Sequence, residues 1–206
     1  MTLMRRTHPD RSRQGPAPRV DPSLDADEVS DAELVARALA EPVRPAFRAL
    51  YERYEGEVYG FLRRLLGDPS LAEDALQETF MNVHRGLVSF DPARAFKPWL
   101  FRIARNAGLN TLRARRKSAP LEHELEGDGE SPSARLKAAE LSEQVRDALD
   151  LLDDEDRALL ILRHVLDTRV AALAETYGIG ERALRKRLRR AGERLAQALL
   201  KTGGAQ

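Results

Sequence analysis

The 206-residue chain has no cysteine. That excludes a disulfide framework, a thiolate zinc site and a cysteine nucleophile, and it suits a reducing, cytoplasmic setting. No apolar run approaches the roughly 20 residues that a membrane-spanning helix needs. The N-terminal arginines have no apolar core behind them, so neither a membrane span nor a secretory signal is expected. No segment alternates apolar and polar residues as a half-buried strand would. There is no phosphate-binding glycine loop, and no catalytic-triad or metal-ligand spacing. The four histidines (His8, His84, His123 and His164) stand far apart and read as surface or packing residues. An enzyme is the least expected reading, with no catalytic residue, no metal site and no cofactor.

Net charge is also nearly absent, at +1, but the balance hides a strong polarisation. Residues 31–117 carry a net +4, residues 118–137 a net −3, residues 138–180 a net −6 and residues 181–206 a net +6. Such blocks predict separate surfaces for separate partners.

Periodicity organises the chain into helices. Residues 1–30, rich in Arg and Pro, read as a disordered tail. Helical spacing starts at Asp31, a candidate N-cap with Glu33 behind it. From Phe47 to Leu65 the apolar residues step by three and four. "GDPS" (67–70) breaks that helix, and Ser70 with Glu73 is placed to form a capping box for the next. In this second helix Ala72, Ala75, Leu76, Phe80, Val83 and Leu87 share one side, while Asp74, Gln77, Glu78 and Met81 share the other. From spacing alone the second side is a solvated face. "SFDPARAFKP" (89–98) reads as a loop, with Pro98 opening a further helix. There Leu100, Ile103, Ala104 and Ala107 point inward, and Arg102, Arg105, Asn106, Arg113 and Arg116 lie together on the opposite side. The basic run "RARRK" (113–117) ends it.

A Pro-, Gly- and Ser-punctuated acidic linker follows (118–137), and a second domain occupies 138–206. The expected fold is all-α, with two small helical domains, 31–117 and 138–206. In the second, Asp153 can cap a helix whose first turn holds Asp154, Glu155 and Asp156. "LAETYGIGERALRKRLRRAGERL" (173–195) then has a helix-turn-helix pattern: Ala174 where helices cross, Gly178 for the sharp turn, and Leu184 and Leu188 as anchors. Its second helix carries Arg182, Arg185, Lys186, Arg189 and Arg190. Such a helix fits a major groove about 12 Å wide, whereas the plain alternative is a cationic solvated helix.

Residues 47–117, above all "AEDALQETF" and "FKPWLFRIARNAGLNTLRARRK", resemble region 2 of the extracytoplasmic-function sigma factors of bacterial RNA polymerase. Residues 138–200 are similar to sigma region 4. The resemblance implies that Asp74, Gln77 and Glu78, with Met81 beside them, dock on the clamp coiled coil of the polymerase largest subunit. It implies that the loop 89–97, with Asp91, Arg94, Phe96 and Lys97, holds a base flipped from the −10 element. It implies that Trp99, Arg102, Asn106 and Arg113 read and melt that element, with Arg105 and Arg116 on the same face. Extruding a base costs a few kcal/mol, which a pocket and aromatic stacking offset. Trp99 fits a core position equally well. The −35 element would then be met by Arg182, Arg185 and Lys186 at the bases and by Arg189 and Arg190 on phosphates. Promoter DNA and core polymerase are the implied partners, with an anti-sigma factor as a further candidate. The acidic linker is either a soluble spacer or a segment that threads the polymerase near the RNA exit path.

Departures from the family pattern fall in region 4: Asp153 in place of Pro, Ala172 of Glu, Gly180 of a Ser cap, Ala183-Leu184 of Thr-Val, and "LDTRV" in place of the usual turn. Two rival readings remain. A helix-turn-helix regulator that never joins polymerase needs only 138–206 and leaves the 74/77/78 face unexplained. A protein-binding scaffold leaves the basic surfaces unexplained.

Overall fold

The sequence folds into helices joined by short turns. The computed structural model describes residues 29–40, 45–118 and 144–203. In chain order these form α1 (Asp31–Ala40), α2 (Pro45–Leu66), α3 (Pro69–Gly86), a 3₁₀ turn (Leu87–Ser89) and α4 (Phe96–Ser118). Then come α5, described over 144–150, α6 (Asp154–His164), α7 (Val170–Tyr177) and α8 (Glu181–Gly203). Among the described residues there is no strand, as the all-α reading expects. The N-terminal tail and the acidic linker lie almost wholly outside them.

In the first half α2, α3 and α4 pack on one another, and α1 lies across α2 and α4. Leu50, Val58, Phe61, Leu62 and Leu65 of α2 are all fully buried. They meet Ala72, Phe80 and Val83 of α3 and Leu100 and Ala104 of α4. Helices α2 and α4 cross at Gly108, where a Cβ would stand 2.7 Å from Leu65 Cδ2.

Two caps differ from expectation. Asp31 is not the cap of α1. It is the first helical residue, and the Ser30 hydroxyl accepts from the Glu33 N–H at 3.3 Å. The Asp31 carboxylate is used instead across the bundle, by Arg53 at 2.5 Å and by the Tyr54 hydroxyl. Burial, and after it this carboxylate, push the Tyr54 phenol well above its ordinary pKa. Likewise the cap of α3 is Asp68 rather than Ser70, its side chain accepting from the Ser70 and Leu71 N–H groups. Pro69 explains the shift: it takes the first helical position, where its missing N–H costs nothing.

In the second half Asp153 caps α6 as read, accepting from Asp156 N–H at 2.8 Å. Asp156 does more than favour the helix dipole. Its side chain is buried and receives Arg194 and Arg187 from α8, which fixes α8 against α6. Gly178 ends α7 in the left-handed region at φ 63, and its N–H bonds back to the helix. The Ile179 N–H also reaches Ala174 O at 3.1 Å. This is the glycine-bearing C-terminal turn that lets α8 leave α7 sharply.

The halves do not lie apart. Leu159, Ile161, Leu162, Leu173 and Leu184 belong to the same apolar core as α2, α3 and α4. The Arg157 guanidinium binds Leu149 O and Asp150 O behind it and also reaches Leu65 O of α2 at 3.3 Å.

Candidate nucleic-acid interface and docking face

Helix α3 buries one side and frees the other. Ala72, Ala75, Thr79, Phe80 and Val83 are buried, with the Thr79 hydroxyl donating to Ala75 O at 2.6 Å so that its polar atom is satisfied inside. Asp74, Gln77, Glu78 and Met81 are all exposed, and Met81, at 53%, is far more open than a core methionine. Gln77 and Met81 border an open apolar hollow that Phe47 and Tyr51 of α2, with Phe80, His84 and Arg85 of α3, complete. The hollow is ordered by ring contacts, Phe47 edge-on to His84 at 5.1 Å and Tyr51 against Phe80 at 4.6 Å. Sequence reading missed Phe47, Tyr51 and His84 here. Periodicity alone places Phe47 and Tyr51 in the core, and in the structure both are only partly buried.

The loop before α4 is shaped by Asp91, whose carboxylate accepts from Ala93 N–H at 3.0 Å. Arg94 is exposed. Phe96 is not a loop residue and does not face outward. It starts α4 and is 3% exposed, packed among Tyr54, Phe90 and Trp99. It therefore supports the loop from beneath. Pro98 falls at the third position of α4 instead of opening it. Lys97 turns to α2, with Nζ 2.6 Å from Glu57. Trp99 is half-buried against Phe90 at 4.8 Å and lines a narrow cleft with Arg94, Ala95, Pro98, Arg102 and Glu175.

Glu175 belongs to α7, and sequence reading did not anticipate its place. The α4 face carrying Arg102, Arg105 and Arg116 is met by the second half of the chain. Thr176 Oγ1 donates to Pro98 O at 3.3 Å. The Arg105 guanidinium lies 4.2 Å from the centre of the Tyr177 ring, and Arg187 approaches the same ring at 5.4 Å. Nη2 of Arg105 donates to Asn106 at 3.2 Å, while Nε and Nη1 are buried with no hydrogen-bond partner among the described residues. Burial raises the Tyr177 phenol far above its usual pKa, Arg105 opposing this, so the ring stays neutral at any ordinary pH. Arg116 donates to Asp154 of α6 at 2.5 Å. Asn106 and Arg113 remain exposed. The sequence did carry a signal for this contact, the net −6 of residues 138–180 beside a cationic helix.

The cations of the helix-turn-helix sort into two sets. Arg182, Arg185, Lys186, Arg189 and Arg190 are all exposed on α8. Arg185 pairs with Glu181 at 2.9 Å and Arg189 with Glu193 at 3.7 Å, exposed i,i+4 pairs of small net worth that DNA phosphates can displace. Arg187 and Arg194 turn inward to α6 and hold the motif together.

A cationic helix presented after a left-handed glycine turn, on a chain whose other half presents a second basic helix, is the architecture of a helical DNA-binding protein. The comparisons narrow this. Residues 50–118 match the family model Sigma-70 region 2. The chain is 34% identical over 180 residues to the ECF RNA polymerase sigma factor SigM of Mycobacterium tuberculosis, covering 85% of this chain and 89% of that one. It is 32% identical over 151 residues to the ECF sigma factor SigM of Bacillus subtilis, covering 71% and 90%. Among solved structures it resembles the sigma factor RpoE of Bartonella quintana, there in complex with the anti-sigma factor NepR, with a TM-score of 0.58 and 25% identity over 75% of this chain and 96% of that one. The chain belongs to the ECF RNA polymerase sigma factors of the sigma-70 family.

Proposed function

We propose that residues 31–117 act as sigma region 2 and residues 138–206 as region 4, and that the exposed face of α3 is where core polymerase docks. One observation carries this: Asp74, Gln77, Glu78 and Met81 stand free beside an apolar hollow with nothing from the rest of the described chain over them. A mixed rim of carboxylates and amide around partly exposed aromatics and a methionine is the composition of an interface core with a polar rim. A clamp coiled coil that presented basic and apolar residues would fit it. The outer face of α4, with Arg94, Trp99, Arg102, Arg105, Asn106, Arg113 and Arg116, then reads and holds the opened −10 element. Arg182, Arg185 and Lys186 reach base edges at −35, with Arg189 and Arg190 on phosphates. Asp91 and Phe96 hold the loop shape, and Lys97 is a partner of Glu57 that becomes available only if that pair opens.

On this reading the protein is not an enzyme; it lends specificity to the polymerase, in the cytoplasm where the polymerase works. The described residues include no helix long and apolar enough to cross a membrane. The likeness to RpoE bound to NepR supports an anti-sigma factor as a further partner. The test is reconstitution with core polymerase followed by sequencing of the transcripts. The expected result is core-dependent initiation at a defined promoter set. Specific DNA binding with no core association would favour the regulator that acts alone.

A further inference from the structure

The loop that precedes α4 is closed by rings. Phe90 stands where the chain enters it and Phe96 where it leaves, with five residues (91–95) between them. The two rings meet edge-on at 5.9 Å, and both are buried. Trp99 packs on the pair, 4.8 Å from Phe90 and 5.7 Å from Phe96. At the tip, Asp91 O accepts from Arg94 N–H at 3.0 Å. The clasp rests on Tyr54 of α2, whose ring lies 5.7 Å from Phe96 and carries Lys97 Nζ at 6.0 Å. Ring contacts alone let a side chain turn, and it is the hydroxyl that fixes Tyr54, by donating to Asp31 at the start of α1. Arg53 holds the same carboxylate at 2.5 Å and binds Val29 O at 2.6 Å. A polar pair satisfied at both ends in an apolar surround specifies one arrangement of the rings around it.

We propose that Asp31 and Tyr54 are positioning residues for this loop, setting from α1 how Arg94 and Trp99 meet the opened −10 strand. This rests on the assignment of Arg94 and Trp99 to that strand. Neither Asp31 nor Tyr54 reaches the loop tip. They act through Phe96: with the Tyr54 hydroxyl held, its ring presents one face to Phe96, which in turn holds Phe90 and so the spacing of the loop ends. A ring freed of its hydrogen bond keeps its apolar contacts, so losing the hydroxyl loosens the register of the loop more than it loosens the core. A misplacement of about 1 Å can cost roughly 100-fold in a site that depends on geometry, and the cost is greatest where one base must be told from another. Helix α1 thus has a part in promoter choice, although it carries none of the residues assigned to DNA.

The test uses holoenzyme reconstituted with the full chain. Opening is compared on a promoter recovered by transcript sequencing and on versions of it with each −10 base replaced. Asp31→Ala and Tyr54→Phe should bind core polymerase as the parent does and lose about tenfold in opening, with the preference among −10 bases flattened. Trp99, the single tryptophan of the chain, should emit at longer wavelength in both. Asp31→Asn keeps an acceptor for the Tyr54 hydroxyl and should restore most of the preference. Ile161→Val, a buried change in α6, controls for stability: it should lower the melting temperature and leave the preference intact. An unchanged preference or an unshifted Trp99 emission in both Asp31→Ala and Tyr54→Phe overturns the proposal. So does Asp31→Asn behaving as Asp31→Ala does, or an equal loss of preference in Ile161→Val. Opening by holoenzyme carrying Arg94→Glu separates this from the assignment beneath it. Undiminished opening there defeats the −10 role of the loop and the positioning role with it. Impaired opening there, beside full preference in the Asp31→Ala and Tyr54→Phe variants, defeats the positioning role alone.

Discussion

Helices α3 and α4 are neighbours in sequence and in space, and their outer faces are in opposite conditions. The outer face of α3 is bare: Asp74, Gln77, Glu78 and Met81 reach solvent beside an open apolar hollow. The outer face of α4 is partly covered, with Arg105 beneath Tyr177 and Arg116 paired with Asp154, while Asn106 and Arg113 stay exposed. Both faces read alike in periodicity, as polar sides of amphipathic helices. On the assignments proposed above, the docking face stands open in the free chain and the DNA-reading face shares part of its surface with the second half.

The comparison can be broken first at its common support. Phe96 opens α4 and packs beneath the loop on Tyr54, Phe90 and Trp99, so Phe96→Ala should cost about 3–5 kcal/mol of stability, measured by denaturant unfolding of the full chain. A variant of unchanged stability that opens promoters poorly would mean that Phe96 faces the DNA after all. Next, Asp74→Lys with Glu78→Lys should leave folding within about 0.5 kcal/mol and weaken core binding by about 2–5 kcal/mol, as removal of interfacial charge partners does. Retained affinity for core would detach α3 from the docking role.

Smaller effects sharpen the second DNA contact. Arg185→Ala should weaken holoenzyme binding at the preferred promoter by about 1–3 kcal/mol and relax preference at one position. Arg189→Ala should weaken all sequences alike and lower the salt slope by about one. Equal losses on specific and scrambled DNA for both would make α8 an electrostatic anchor. Smallest is Asp68→Ala, which removes the cap of α3 and should cost about 1 kcal/mol of stability, whereas Ser70→Ala should be nearly silent. The reverse would restore Ser70 as the cap.

That last pair shows how far the sequence could be read. Helix periodicity located α2, α3, α4 and α8 because each buries a face at regular spacing. Caps were harder, since "GDPS" offers Asp68 and Ser70 as rivals and only the position of Pro69 decides between them. Asp31 was misplaced because a carboxylate near a helix start serves a cap or a tertiary partner, and Arg53 and Tyr54 lie more than twenty residues away. Pro98 marks a helix start in general, whereas here Phe96 and Lys97 ahead of it already belong to the helix. The cover on α4 was invisible to local pattern: a helix face rich in Arg looks the same in water, under DNA or under an acidic helix. Only the opposed charge blocks hinted at it.

Hydroxyl-radical footprinting read at Met81 and Tyr177, in the free chain and after addition of core polymerase, bears on both faces at once. The account predicts fast labelling of Met81 and slow labelling of Tyr177 in the free protein. In holoenzyme Met81 should become protected. Met81 labelled as freely in holoenzyme as in the free chain would contradict it.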